Sequence, residues 1–198
     1  ADQKPLTEFE DFLVFYFHSF LKMIVYNDLV TDDQILSDSY AQKPLVFNGE
    51  TIEGINTVQS SLIVKSVGDI DIGANASAEG GDEGTDDSVQ KVNDIVDKDT
   101  GFGYEGPMAL TKAEFGTMYK GWCKKVKEAI LAAGGKPKPF MTSAQAFLPF
   151  LNAEFKNFEV YQTKTFDSLI VGWWDEEANV AGAPKFLIFT HAVKAEKY

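Results

Sequence analysis

Apolar and polar positions change their rhythm along this chain. Between Met23 and Lys98 the apolar residues fall in short runs: Ile24-Val25-Tyr26, Ile35-Leu36, Val46-Phe47, Ile52 and Leu62-Ile63-Val64. Turn formers separate these runs, and Asn48-Gly49 is the pair that a two-residue hairpin turn favours. The segment predicts strands, resumed later by Val89, Val92, Ile95 and Val96. From 110 to 158 the spacing becomes helical. Thr111-Lys-Ala-Glu114 has the form of a capping box, in which Thr111 accepts from a backbone amide and Glu114 reaches back. Phe115, Met118, Tyr119, Trp122, Val126 and Ile130 then recur on one face. Gly134-Gly135 ends this helix, and Pro137 and Pro139 bar its continuation. Thr142-Ser-Ala-Gln145 reads as a second capping box, opening a helix with Phe147, Leu148, Leu151 and Phe155 as its stripe. Pro149 is expected to kink or shorten that helix. The two form a helical hairpin, after which strands return over 158–161, 168–174 and 185–190. The prediction is an α+β domain, mostly β with one helical arm.

Two segments break the pattern. Residues 68–88 are dominated by Gly, Asp, Glu, Asn and Ser and read as a long flexible acidic loop. Residues 1–22, rich in Phe and acid, read as an N-terminal extension that need not be native to the domain; a helix packed on the domain is the alternative. Met23 then opens a single domain over 23–198.

Composition narrows the function classes. A hydrophobic fraction of 44% and an aromatic fraction of 13% supply a core. The net charge of −12 argues against nucleic acid and against an anionic membrane, since both need a surplus of Lys and Arg. It suits a cation or a basic partner, although many acidic proteins are merely soluble. No apolar run reaches the roughly 20 residues a membrane helix needs. The Phe12–Phe17 run is short, and its flank Glu8-Phe-Glu-Asp11 is acidic where a secretory signal is basic. A cytoplasmic monomer is expected. Cys123 is the single cysteine, and His18 and His191 are the only histidines, so neither a disulfide nor a Cys-rich zinc site can form within the chain. The lysines around Cys123 would lower its pKa if the thiol were exposed; the competing reading is a small packed residue on a helix. An enzyme would need convergent carboxylates, for which Asp38, Glu79 and Glu159 are the candidates. No catalysis is expected.

Several stretches together resemble one family. Ile72-Gly-Ala-Asn-Ala-Ser-Ala-Glu-Gly80 looks like the first signature of the translationally controlled tumour protein family, and Asp94-Ile-Val96 follows in the expected place. Met23-Ile-Val-Tyr26 with Ser37-Asp38 resembles its first strand and turn. Lys138-Pro-Phe-Met-Thr142 and Phe155-Lys-Asn-Phe158 resemble the entry and exit of its second helix, and Lys194-Ala-Glu-Lys-Tyr198 its closing tail. The order and spacing cover about 23–198. The resemblance implies a β-tent: a twisted mixed sheet, a long flexible loop and a protruding antiparallel helical hairpin, as in a zinc-containing chaperone of Rab GTPases but without the zinc. It implies calcium binding, microtubule association, growth regulation, anti-apoptotic signalling, and contact with small GTPases and translation elongation factors. The chain departs from the family at Gln34, at Thr163-Lys164 and at Asp97, all on the side relatives turn to a GTPase. Exchange activity on a Rheb-like GTPase is therefore kept only as an alternative, beside a thiol-dependent redox chaperone using Cys123. Many animal members end in cysteine; with Tyr198 in that place, a disulfide dimer through the tail is not expected.

Two binding expectations follow. Calcium takes six to eight oxygens. Asn75, Glu79 and Asp82 share one loop, with Glu83, Asp86 and Asp87 adding charge, and the resemblance places Glu159 beside it. There is no EF-hand pattern, so binding is expected to be weak; a merely solvated acidic loop is the competing reading. Between Leu110 and Phe140 seven lysines face two acids. Lys120, Lys124 and Lys127 fall opposite the apolar stripe of the first helix and predict a basic outer face suited to acidic tubulin surfaces. With Lys112, and Asp38 of the first turn, they form the expected partner-binding set; an ordinary solvated face is the competing reading.

Overall fold

A computed structural model describes residues 23–65 and 90–198. The elements are β1 (Ile24–Asp28), β2 (Gln34–Ser37), β3 (Gln42–Phe47), β4 (Glu50–Gln59), β5 (Leu62–Lys65), β6 (Gln90–Asn93) and β7 (Glu105–Met108). They continue as α1 (Lys112–Ala132), α2 (Lys138–Glu154), β8 (Phe158–Gln162), β9 (Ile170–Trp173), α3 (Glu176–Ala181), β10 (Lys185–Phe189) and β11 (Val193–Lys197). A six-stranded sheet runs in the order β3-β4-β10-β9-β8-β7, a three-stranded sheet in the order β11-β1-β2, and β5 pairs with β6. Every pairing among the described residues is antiparallel, which corrects the expected mixed sheet.

Strand alternation divides the core in two. On β10, Leu187 and Phe189 join the cluster under the helices, while Phe186 and Ile188 join the cluster on the other face with Ile35, Leu36 and Tyr104. Val171 and Ile170 on β9, and Val160 and Tyr161 on β8, split in the same way. Successive side chains leave a strand on opposite faces, so a sheet covered on both sides reads as a continuous apolar run. That is the pattern of Phe186-Leu187-Ile188-Phe189.

Local chemistry sets the element ends. Asn48 and Gly49 take φ of 51° and 81° between β3 and β4, both positive as a type I′ turn requires. The Thr111 capping box forms: its hydroxyl accepts from the Glu114 amide at 3.3 Å, and its own amide donates to Glu114 Oε2 at 2.7 Å. At the other end of α1, Gly134 donates to Leu131 O at 3.0 Å and Gly135 to Ile130 O at 2.8 Å, a Schellman closure with Gly134 at φ 74°.

The second helix departs from expectation. It begins at Lys138 with Pro139 in its first turn, where a missing N–H costs nothing. Thr142 therefore lies inside the helix, and its hydroxyl donates to Lys138 O at 3.1 Å instead of capping. The helix also runs through Pro149. Its buried face is Phe140, Ser143, Ala144, Phe147, Phe150 and Leu151, while Leu148 is exposed. Both helices lay these stripes along the sheet: Trp122, Phe140 and Phe147 meet Phe189, and Phe150 meets Trp173 and Phe47. The expected protruding hairpin thus lies against the sheet through both stripes.

Candidate functional site

Helices α1 and α2 do not close on each other along their outer flanks. A groove of about 390 Å³ runs between them. Tyr119 and Cys123 face it from α1, and Met141, Ala144, Leu148 and Leu151 from α2. The Tyr119 hydroxyl ties the helices at its base by donating to Ala144 O at 2.8 Å. Lys120, Lys124 and Lys127 line the α1 wall, and all three are exposed. The basic face is real, but it turns toward α2: on an α-helix the i, i+4, i+7 row keeps to one flank, and this flank borders the groove. Lys124 also approaches Glu128 at 4.0 Å.

Two other lysines of this arm are engaged. Lys112 Nζ donates to Asn152 O at 3.0 Å, fastening the start of α1 to the end of α2. Lys125, on the far flank, pairs with Asp167 at 2.6 Å. Asp38 is exposed in the turn after β2, its amide donating to Ile24 O at 2.9 Å. It lies in a different part of the fold from the lysine groove, among the residues of the three-stranded sheet.

Cys123 is half-buried in the groove. Burial pushes its thiol up to about 11, in spite of its contact with Tyr119. The adjacent Lys124 and Lys125 reach instead toward Glu128 at 4.0 Å and Asp167 at 2.6 Å. The packed-residue reading therefore fits, and the activated-thiol reading does not.

Of the expected calcium ligands, Asn75, Glu79 and Asp82 lie outside the described residues, as does the acidic stretch 68–88. Glu159 can be placed: it sits on β8 opposite Gly172 and accepts from the Tyr161 hydroxyl at 2.7 Å. Among the described residues no cluster of three or more His, Cys, Asp or Glu is arranged to hold a metal.

The three departures from the family pattern fall in one region only in part. Gln34 and Lys164 share a polar cleft of about 230 Å³ with Asp33, Lys98 and Phe102. Lys164 Nζ lies 3.6 Å from Asp33. Burial alone would raise the Asp33 carboxyl, but the Thr163 and Thr165 hydroxyls and Lys164 outweigh it and hold it below the ordinary value. Asp97 is used internally: its carboxylate accepts from the Asp99 and Thr100 amides, each at 3.0 Å, and from Lys65 at 3.2 Å.

The family model described as translationally controlled tumour protein matches residues 23–194. The chain belongs to this family. It is 32% identical over 187 residues to the translationally controlled tumour protein homologue of Yarrowia lipolytica, covering 88% of this chain and 99% of that protein. It is 33% identical over 186 residues to the Neurospora crassa homologue, with coverage of 88% and 99%. Among solved structures, the tumour-associated protein p23fyp of Schizosaccharomyces pombe shares the fold with a TM-score of 0.64 at 23% identity, covering 88% of this chain and 99% of that one. The family's Caenorhabditis elegans member aligns with a TM-score of 0.52 at 21% identity, covering 88% and 98%. These likenesses account for the motifs as parts of one fold. Met23-Ile-Val-Tyr26 opens β1, Lys138-Pro-Phe-Met-Thr142 is the first turn of α2, and the closing Lys194–Tyr198 tail lies on β11, which pairs with β1. Among the described residues no helix is long and apolar enough to cross a membrane.

Sequence reasoning missed the groove itself. Its only local signal was Leu148, placed in the buried stripe although it stands a third of a turn from Phe147. It also missed Asp28, a buried carboxylate at the end of β1 that accepts from the Val30 and Thr31 amides at 2.8 and 3.0 Å.

Proposed function

We propose that this chain is a non-catalytic, cytoplasmic partner-binding protein whose principal contact surface is the lysine flank of α1. The observation that carries the reading is the row Lys120, Lys124 and Lys127, exposed together on a protein of net charge −12. A basic strip on an acidic body aligns the molecule on an acidic partner, while its own charge repels that partner elsewhere. Tubulin and the microtubule surface are the partner class, and growth regulation and cell survival the processes served. Small GTPases and elongation factors are further partners of the same kind. Weak calcium binding through Asn75, Glu79, Asp82 and Glu159 belongs to this proposal, its test an NMR titration in which Glu159 and the three loop residues shift together.

Microtubule co-sedimentation at low and physiological salt tests the main reading. The Lys120→Glu/Lys124→Glu/Lys127→Glu variant is expected to melt almost normally and to lose most of its capture. Equal co-sedimentation of variant and wild type, or no binding by either at low salt, returns this flank to an ordinary solvated surface.

A further inference from the structure

The lysine row borders an apolar surface that the described residues leave uncovered. Leu148 is 42% exposed on α2, against burial of its neighbours Phe147 and Phe150. Half-buried Met141 continues the strip over the buried Ala144 and Leu151, and among the described residues no carboxylate lines the groove. A leucine in such a position keeps a large part of its apolar surface in water, which a partner could still bury. The three lysines rise along the opposite wall by about 6 and about 10.5 Å from the first, at 1.5 Å per residue. They thus span about two turns of any helix lying alongside.

Both walls are helices, whose backbone groups already bond to one another. The groove therefore has no open ladder to complete a strand, and an extended peptide would carry unpaired amides onto an apolar floor. A helix brings its backbone bonds with it. We propose that the groove docks an amphipathic helix of a partner protein. Its apolar edge seats on Leu148 and Met141, and its edge of Asp or Glu at i, i+4 spacing runs along Lys120, Lys124 and Lys127. This rests on the hairpin as the contact surface, but adds an apolar requirement that charge alone does not impose.

The probe is a synthetic helical peptide of about five turns, with Leu at i, i+3 and i+7 and Glu along the adjoining edge. Two controls accompany it, one with Lys in place of Glu and one with the same composition scrambled. Titrated into the full chain, the acidic amphipathic peptide is expected to shift the amides around Leu148, Met141 and Cys123 and to slow alkylation of Cys123. Leu148→Ser should weaken it by roughly tenfold or more, as for an anchor residue, with melting unchanged because Leu148 is exposed. The triple Lys→Glu variant should weaken it and reverse its salt dependence, since salt then screens a repulsion. The groove is overturned if no peptide binds, if the scrambled or basic peptide binds as well, or if Leu148→Ser binds equally. In the wild-type chain, no binding of the acidic peptide together with microtubule capture overturns the groove alone. In the wild-type chain, peptide binding without microtubule capture overturns the tubulin reading alone.

Discussion

Trp122 and Phe189 meet edge to face, their ring centroids 5.0 Å apart, and this contact fastens α1 to β10 at the centre of the larger core. Aromatic pairs favour this geometry because the positive ring edge meets the negative face. Trp122 Nε1 finds no acceptor among the described residues. Trp122→Ala is expected to cost about 3–5 kcal/mol in chemical denaturation followed by circular dichroism. Trp122→Phe should cost clearly less than the lost volume suggests, because it also removes a buried N–H without a partner.

Gly54 lets α2 reach the sheet. It lies in β4 at φ 78°, and a Cβ there would come within 2.2 Å of Ser143 Oγ and 2.9 Å of His191 Nδ1. Gly54→Ala would combine a strained backbone with a collision against the helix. We expect a loss of more than about 2 kcal/mol. Removing the collision with Ser143→Gly should recover only part of it, since the φ strain persists. Thermal melts of the single and double variants measure the split.

Asp28 makes the fold sensitive to acid in an unusual direction. Burial raises its carboxyl above the ordinary 3.8, against the Thr31 and Val30 amides and the Thr31 hydroxyl, which pull it down. The folded protein thus holds this proton more tightly than the unfolded chain. That stabilisation is complete below 3.8 and is lost as pH rises through the raised folded value. Asp28→Asn keeps an accepting oxygen but does not titrate. The difference in Tm between wild type and Asp28→Asn should therefore shift in favour of wild type as pH falls from 7 toward 4. A difference independent of pH would contradict the assignment.

The Cys123 thiol, raised to about 11, should react slowly at neutral pH. Its alkylation rate in the folded protein is expected to climb about tenfold per pH unit from 7 to 10. A plateau near the usual thiol pKa would restore a redox role.

The Asp33–Lys164 pair at 3.6 Å occupies the cleft beside Gln34. An ion pair closed within the chain offers a GTPase no unpaired carboxylate there. Nucleotide release from a Rheb-like GTPase should be no faster with micromolar protein than without it. Acceleration would show that the exchange surface lies elsewhere.

The features the sequence determined by itself are those settled within a few residues. The Asn48-Gly49 turn, the Thr111–Glu114 box and the Gly134-Gly135 closure each satisfy nearby backbone groups, so the same residues imply the same geometry wherever the chain goes. The stripe from Phe115 to Ile130 was legible for a similar reason: its helical period is longer than any accident of composition. Tertiary structure decided what depends on distant partners. β11 has little apolar pattern, and it is a strand because β1 pairs with it from Ile24↔Lys197 to Asp28↔Val193. Thr142 looked like a cap, but helix α2 starts a turn earlier at Lys138, so its hydroxyl has a carbonyl to bond instead. Leu148 and Phe150 are both apolar and two residues apart; only the position of the sheet, with Phe47 and Trp173 against Phe150, buries one and leaves the other in the groove. The lysine row is in the sequence. That it forms one wall of an apolar groove follows from where α2 packs, since burial is a property of the neighbours that arrive and not of the residue that waits.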